Sequence, residues 1–169
     1  QLDKSVLRLK IHFDVQGQGQ SVFEHKMTYS ISGDGRILID NIILPKIKLP
    51  ILARIGLQLT LPEELNNIEF LGRGPHENYV DRKAGAALGL FKSTVQDQYV
   101  AYGIPQDNGA KQDVRWISLT DDQKNGLLFS ARGETFAMQA LPFTAGDMEN
   151  AKHINELQPR KTVTLCLDH

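Results

Sequence analysis

"VLRLKIHFDVQGQGQSVFEHKMTYSISGDGRILIDNIIL", residues 6–44, sets the class of the fold. Leu7, Leu9, Ile11, Phe13 and Val15 alternate with Arg8, Lys10, His12 and Asp14, which places the apolar set on one face of an extended strand. "QGQGQ" (16–20) interrupts that run with two glycines. Phe23, Met27, Tyr29 and Ile31 then resume the alternation opposite Glu24, Lys26, Thr28 and Ser30, so the two runs read as a hairpin. "SGDGR" (32–36) carries Asp-Gly, a tight-turn pair whose residues tolerate positive φ, and "ILIDNIIL" follows as a third strand.

The same style continues downstream. Ile51, Ala53, Ile55, Leu57, Leu59 and Leu61 recur at period two, which predicts one long strand ending at "PEEL". "IEFLGRG", "AALGLFKSTV", "DVRWISLT", "GLLFSAR", "TFAMQALPF" and "KTVTLCLDH" read as further short strands separated by turn residues. One helix is predicted near 147–157, with Asp147 as its cap, Met148, Ala151, Ile154 and Leu157 at helical spacing, and Pro159 beyond its end. With no βαβ rhythm, the pattern is that of an all-β, antiparallel β-sandwich.

Composition narrows the function classes. The 169 residues, 41% of them hydrophobic, suffice for one domain with a sizeable core. Nineteen Lys and Arg stand against 20 Asp and Glu without any block of like charge, which leaves no electrostatic footprint for nucleic acid or an anionic membrane. No apolar run reaches the length of a membrane span, and the N-terminal "QLDKSVLRLK" has no signal-peptide core. The first residue is Gln1 and a strand pattern begins almost at once, as expected for a piece of a longer polypeptide. Cys166 is the single cysteine, so neither a disulfide within the chain nor a cysteine zinc site can form.

Polar residues gather in "LGRGPHENYVDRKAG" (71–85), where Arg73, His76, Glu77, Asn78, Tyr79, Asp81 and Arg82 surround Gly72, Gly74 and Pro75. The "GRG" is too short for a phosphate loop and no Lys-Ser/Thr pair follows it. "HINEL" has His153 and Glu156 but lacks the second histidine of a zinc-protease helix, and no nucleophile elbow is present. Two readings stay open. Glu77 with Asp81, or Asp107 with Asp113, could form an acid–base pair facing a sugar. Alternatively, Asp81 with Arg82 and Asp113 with Arg115 brace loop corners, while Asn78 and Asn108 satisfy turn backbone. Trp116, in a strand run, is read first as a sheet-face aromatic and second as a sugar platform.

The longer stretch from Leu71 to Thr120 resembles the C-terminal β-sandwich of family 2 glycoside hydrolases, the small-chain domain of large bacterial β-galactosidases. The matching residues run from Gly72 to Arg82, from Tyr102 to Gly109 and from Asp113 to Trp116, with weaker likeness upstream and downstream that extends over nearly the whole chain. Asp107 replaces the family's frequent Glu, "GAKQD" its usual "GNRTD", and Val80 a frequent Pro, which weakens any ligand role for Lys111 or Gln112.

The resemblance implies a supersandwich similar to the galactose-mutarotase fold, here as a single truncated domain over 1–169. It implies a non-catalytic module that packs beside a catalytic (β/α)₈ barrel, completes a pocket for β-galactosides, and is inactive alone. The paired glutamates of retaining hydrolysis, about 5 Å apart, lie in that barrel in such enzymes, and the intact enzymes often use Mg and a monovalent cation. No cofactor is expected within this chain. The substrate-side or loop-bracing candidates are then Arg73, His76, Glu77, Asn78, Tyr79, Asp81, Arg82, Asn108, Asp113, Arg115, Trp116 and His153. The rival reading is a stand-alone carbohydrate-binding or epimerase-like module, in which His76 or His153 would converge with Glu77.

Overall fold

The computed structural model describes residues 6–17 and 19–169, and these divide into two compact units on either side of the Ala53–Arg54 bond. Residues 1–5 of the N-terminal stretch, and Gln18 of the expected 16–20 turn, lie outside the described residues.

The first unit is one antiparallel sheet of β1 (Val6–Gly17), β2 (Gln20–Ser32) and β3 (Ile37–Pro45), in the order β1-β2-β3. Its register follows the alternation: Leu9 lies opposite Tyr29, and Tyr29 opposite Ile39. The β2–β3 turn falls at Asp34-Gly35, where Gly35 takes φ 87° and Asp34 accepts from the backbone and guanidinium of Arg36.

The second unit is a β-sandwich. One sheet contains β4 (Gly56–Pro62), β7 (Lys111–Val114), β10 (Phe136–Leu141) and β11 (Thr162–Asp168), in the order β4-β11-β10-β7. The other contains β5 (Asn67–Gly74), β6 (Ala87–Thr94), β8 (Trp116–Thr120) and β9 (Gly126–Ser130), in the order β6-β5-β8-β9. Ile68, Phe70, Ile117 and Leu119 of one sheet meet Leu61, Val114, Met138, Ala140, Val163 and Leu165 of the other in a single core. Burying each large side chain there stabilises the fold by about 1.5–3 kcal/mol.

Three sequence expectations are corrected. The long strand predicted from Ile51 begins only at Gly56, because β4 bonds to β11 and that ladder starts at the Gly56–Asp168 pair. "DVRWISLT" is two strands, not one: Asp113 near the end of β7 takes the left-handed conformation (φ 54°), and the chain passes at Arg115 from β7 in one sheet to β8 in the other. The helix predicted at 147–157 is shorter and starts earlier, as α1 (Ala145–Asn150), followed by a separate 3-10 turn at Ile154–Glu156. Thr144, not Asp147, is its cap. The Thr144 hydroxyl accepts from the Asp147 N–H and the Asp147 carboxylate accepts from the Thr144 N–H, a reciprocal box that fixes the start. The helical spacing of Met148, Ala151 and Leu157 survives as packing, since all three join Leu141 and Phe143 in a second, smaller cluster.

Candidate functional site

The polar segment of the sequence forms a corner at the end of β5. Pro75 and His76 are exposed there, whereas Glu77 and Asn78 turn inward and are buried. The Gly74–Pro75 peptide is cis.

Asn78 organises the backbone around itself. Its amide nitrogen donates to the carbonyls of Arg73 (3.0 Å) and His76 (3.1 Å), its side-chain oxygen accepts from the Gln112 N–H (3.0 Å), and its own N–H donates to Ala110 (2.8 Å). Asn108 does the same for the facing loop, accepting from the Val100 N–H at 3.0 Å and donating to the Gln106 carbonyl at 2.8 Å. An amide fits such positions because it offers donors and acceptors on one rigid plane.

Glu77 joins the two loops. One carboxylate oxygen accepts from the Gly109 N–H at 2.7 Å, and the other accepts from Arg82 at 2.7 Å and from the Tyr102 hydroxyl. Burial pushes this carboxyl up, but Arg82, Tyr102 and Gly109 together outweigh burial and hold it below the ordinary glutamate value. Gly109 is required for this contact. Its φ is 78°, and a Cβ built there would lie 2.6 Å from the Gln98 carbonyl oxygen.

A second anionic centre forms at Asp113, which accepts from Lys83 (2.7 Å) and from Arg73 (2.5 Å); Lys83, then Arg73, lowers its carboxyl pKa. Arg73 also donates to the Ala86 carbonyl at 2.9 Å, so it ties the end of β5 to the segment before β6. A third group surrounds Asp107, which accepts from Gln139 at 2.8 Å and from Arg54 at 3.3 Å; Arg54 also binds Asp168.

Lys111 is the most confined cation of the region. It is 2% exposed, its ammonium donates to the Gly109 carbonyl at 2.9 Å, and burial lowers its pKa to about 8 against the attraction of Glu77. The Gly109 residue therefore accepts from Lys111 on one side and donates to Glu77 on the other.

Of the candidates named from sequence, Arg73, Glu77, Asn78, Tyr79, Arg82, Asn108 and Asp113 converge on these contacts. Arg82 lies over the Tyr79 ring, 4.7 Å from its centroid, and burial together with Asp107 and Glu77 raises the Tyr79 phenol pKa. The ion pairs differ from those expected: Arg82 pairs with Glu77 and not with its neighbour Asp81, and Asp113 pairs with Arg73 and Lys83 and not with Arg115. Asp81 and Arg115 are exposed, and Arg115 contributes through its backbone, donating to Leu71 and accepting from Ala131. Trp116 is half-buried in β8 opposite Leu71 and Ser130. His153 is exposed at the start of the 3-10 turn, and His76 is exposed beside a Glu77 whose carboxylate is already occupied. Sequence reasoning missed Arg54, Lys83, Tyr102 and Gln139, and discounted Lys111. Only Tyr102 carried a signal, since it stands in the matched Tyr102–Gly109 segment.

Chemically, the corner is a set of neutralised carboxylates that hold loops. Among the described residues no group of three or more His, Cys, Asp or Glu side chains converges to hold a metal ion.

Fold and corner together define a β-sandwich module whose loops are locked by buried polar side chains. The family model for the β-galactosidase small chain matches residues 2–169, and the chain belongs to that family. It is 36% identical over 143 residues to a β-galactosidase of Priestia megaterium, covering 85% of this chain and 14% of that protein. A β-galactosidase of Streptococcus thermophilus is 32% identical over 150 residues, covering 89% of this chain and 15% of that protein. One from Lactobacillus delbrueckii subsp. bulgaricus is 37% identical over 131 residues, covering 78% and 13%. The chain thus spans a small part of the length of these relatives.

Proposed function

We propose that this chain is the non-catalytic sandwich module of a β-galactosidase, a family 2 glycoside hydrolase that cleaves terminal β-D-galactosides. The module packs beside the catalytic barrel and completes the wall of its sugar pocket. The observation that supports this reading is the state of Glu77: a buried carboxylate with three donors, one of them a backbone N–H on a distant loop, braces a wall and is not free to act as acid or nucleophile. Asp113 is likewise held by two cations. The paired catalytic carboxylates then belong to the barrel, and the intact enzyme uses Mg and a monovalent cation. His76, Asp81 and Arg82 are exposed at the corner, which supports a role for them in meeting the barrel or the sugar.

Hydrolysis of a nitrophenyl galactoside tests this. The 169-residue chain alone is expected to be inactive, and mixing it with a β-galactosidase polypeptide that lacks the matched segment is expected to restore turnover. Hydrolysis by the isolated chain would overturn the non-catalytic role and return attention to Glu77, Asp81 and Asp113.

A further inference from the structure

We infer that Asn125-Gly126, at the tip of the β8–β9 hairpin, is a self-modification site. There the Gly126 nitrogen closes on the Asn125 side-chain amide and converts the residue to aspartate and isoaspartate, while the fold holds the same dipeptide at Asn108-Gly109 unreactive. The sequence contains these two Asn-Gly pairs and no other.

The chemistry is common to both pairs. Glycine has no Cβ to screen its nitrogen, so that nitrogen can reach the side-chain carbonyl carbon of the preceding asparagine. A bond forms from the nitrogen to that carbon, the bond from the carbon to Nδ2 breaks, and ammonia leaves with the proton shed by the glycine N–H. Water then opens the cyclic imide at one carbonyl to give aspartate, or at the other to give isoaspartate. Water is the only co-reactant. The reaction therefore needs a free glycine N–H and an asparagine side chain that can turn.

Both are present at 125–126. The Asp121 N–H donates to the Asn125 carbonyl at 2.9 Å, and Lys124, at φ 71°, donates its N–H to the Asp121 carbonyl at 3.1 Å. This is a short hairpin loop closed by a bulge, and it makes Asp121 and Asn125 a hydrogen-bonded pair. Bonded and non-bonded pairs alternate along an antiparallel ladder, so the next pair, Thr120 with Gly126, turns its N–H groups away from the partner strand. β9 is the last strand in its sheet, so among the described residues the Gly126 N–H has no ladder partner. The Asn125 side chain is restrained there by one bond, from Nδ2 to Asp121 at 3.3 Å. The hairpin also demands the glycine, because a Cβ at position 126 would collide with the Leu119 carbonyl.

At 108–109 both requirements are blocked. The Gly109 N–H donates to the Glu77 carboxylate at 2.7 Å, whose negative charge opposes loss of that proton. The Asn108 side chain is wholly buried, accepts from the Val100 N–H at 3.0 Å and donates to the Gln106 carbonyl at 2.8 Å. Glu77 thus protects the peptide it braces. Every group named lies within the unit that starts at Arg54. Conversion at 125 sets a new carboxylate beside Asp121 and Asp122, and isoaspartate adds a backbone carbon that breaks the Asp121–Asn125 pair.

Peptide mapping by mass spectrometry tests the proposal. The 169-residue chain is aged in mildly alkaline buffer, with a cooperative urea transition of the same sample as the measure of its folded state, and in parallel in urea above that transition. In the folded chain Asn125 is expected to convert about 100-fold faster than Asn108, which reacts only from an open state of its loop populated at about 1%. In urea the two are expected to convert at similar rates. Asn125→Gln is expected to abolish the acidic species that ion exchange resolves from the aged folded chain. Conversion of Asn108 as fast as Asn125 in the folded chain would overturn the inference. So would an Asn125 that converts in urea but not in the folded chain, or an acidic species undiminished in Asn125→Gln.

Discussion

The Gly109 N–H donates to the Glu77 carboxylate at 2.7 Å, across 32 residues of sequence, and Lys111 donates to the carbonyl of the same glycine at 2.9 Å. One peptide segment thus sits between a buried anion and a buried cation. The position of the 106–112 loop against the 74–82 corner depends on it.

Glu77→Ala removes the acceptor for three donors, one a buried N–H. The expected cost is about 2–3 kcal/mol, an unsatisfied buried donor with a lost charge-assisted bond. Urea unfolding of the wild type and variant measures it. Glu77→Gln, which keeps an acceptor for Gly109, is expected to lose less.

Asn78→Asp changes one atom yet turns an amide that donates to two carbonyls into a carboxylate that repels them. It is expected to destabilise the chain more than Asn78→Ala, whose cost is about 2–4 kcal/mol from lost hydrogen bonds and lost packing. An equal or smaller loss for Asp, by thermal unfolding at pH 7, would contradict the donor assignment.

Lys111 gives stability a dependence on alkaline pH. Its pKa is lowered to about 8 in the fold from an unfolded value of 10.5, so above pH 8 the unfolded chain holds more protons and stability rises with pH. Relative to Lys111→Met, the wild type is expected to gain about 2 kcal/mol between pH 8 and 9.5, at roughly 1.4 kcal/mol per unit. A flat difference across that window would show that the ammonium is not desolvated.

At acid pH the sign reverses. Glu77, Asp113 and Asp147 all have folded pKa values below their unfolded ones, so their contribution is complete above about pH 4.5 and is lost as the pH falls through the folded values. The unfolding midpoint in urea is expected to fall steadily below that pH. Asp113→Asn is expected to flatten part of the slope.

Thr144→Ala removes one half of the reciprocal cap of α1. The loss expected is about 1 kcal/mol, or roughly 2–4 °C in melting temperature for a chain of this size. Asp147→Ala is expected to cost more, because Asp147 also holds Arg160 at 2.5 Å.

Much of the fold was legible in particular residues. The period-two runs of β1 and β2, the Asp34-Gly35 turn and the short strands from Asn67 onward depend on side-chain alternation and turn chemistry, which are local properties. The stretch from Gly72 to Trp116 likewise carried the family in its order of residues.

What needed the tertiary structure were properties that two distant segments share. Ile51–Ile55 alternate like a strand, but a strand exists only where a neighbour supplies the ladder, and β11 pairs with β4 no further than Gly56. Asp81 and Arg82 are adjacent in sequence, yet Arg82 turns to Glu77, since ion pairing follows burial and loop path rather than adjacency. Nothing in the sequence marks Lys111 as buried, and it is almost wholly enclosed. The sequence by itself determined where strands could form and which family they belong to, because period and motif are written along the chain. Only the folded structure decided which charges are buried and which loops they join, because hydrogen bonds and desolvation depend on groups that meet only after the sheets have packed.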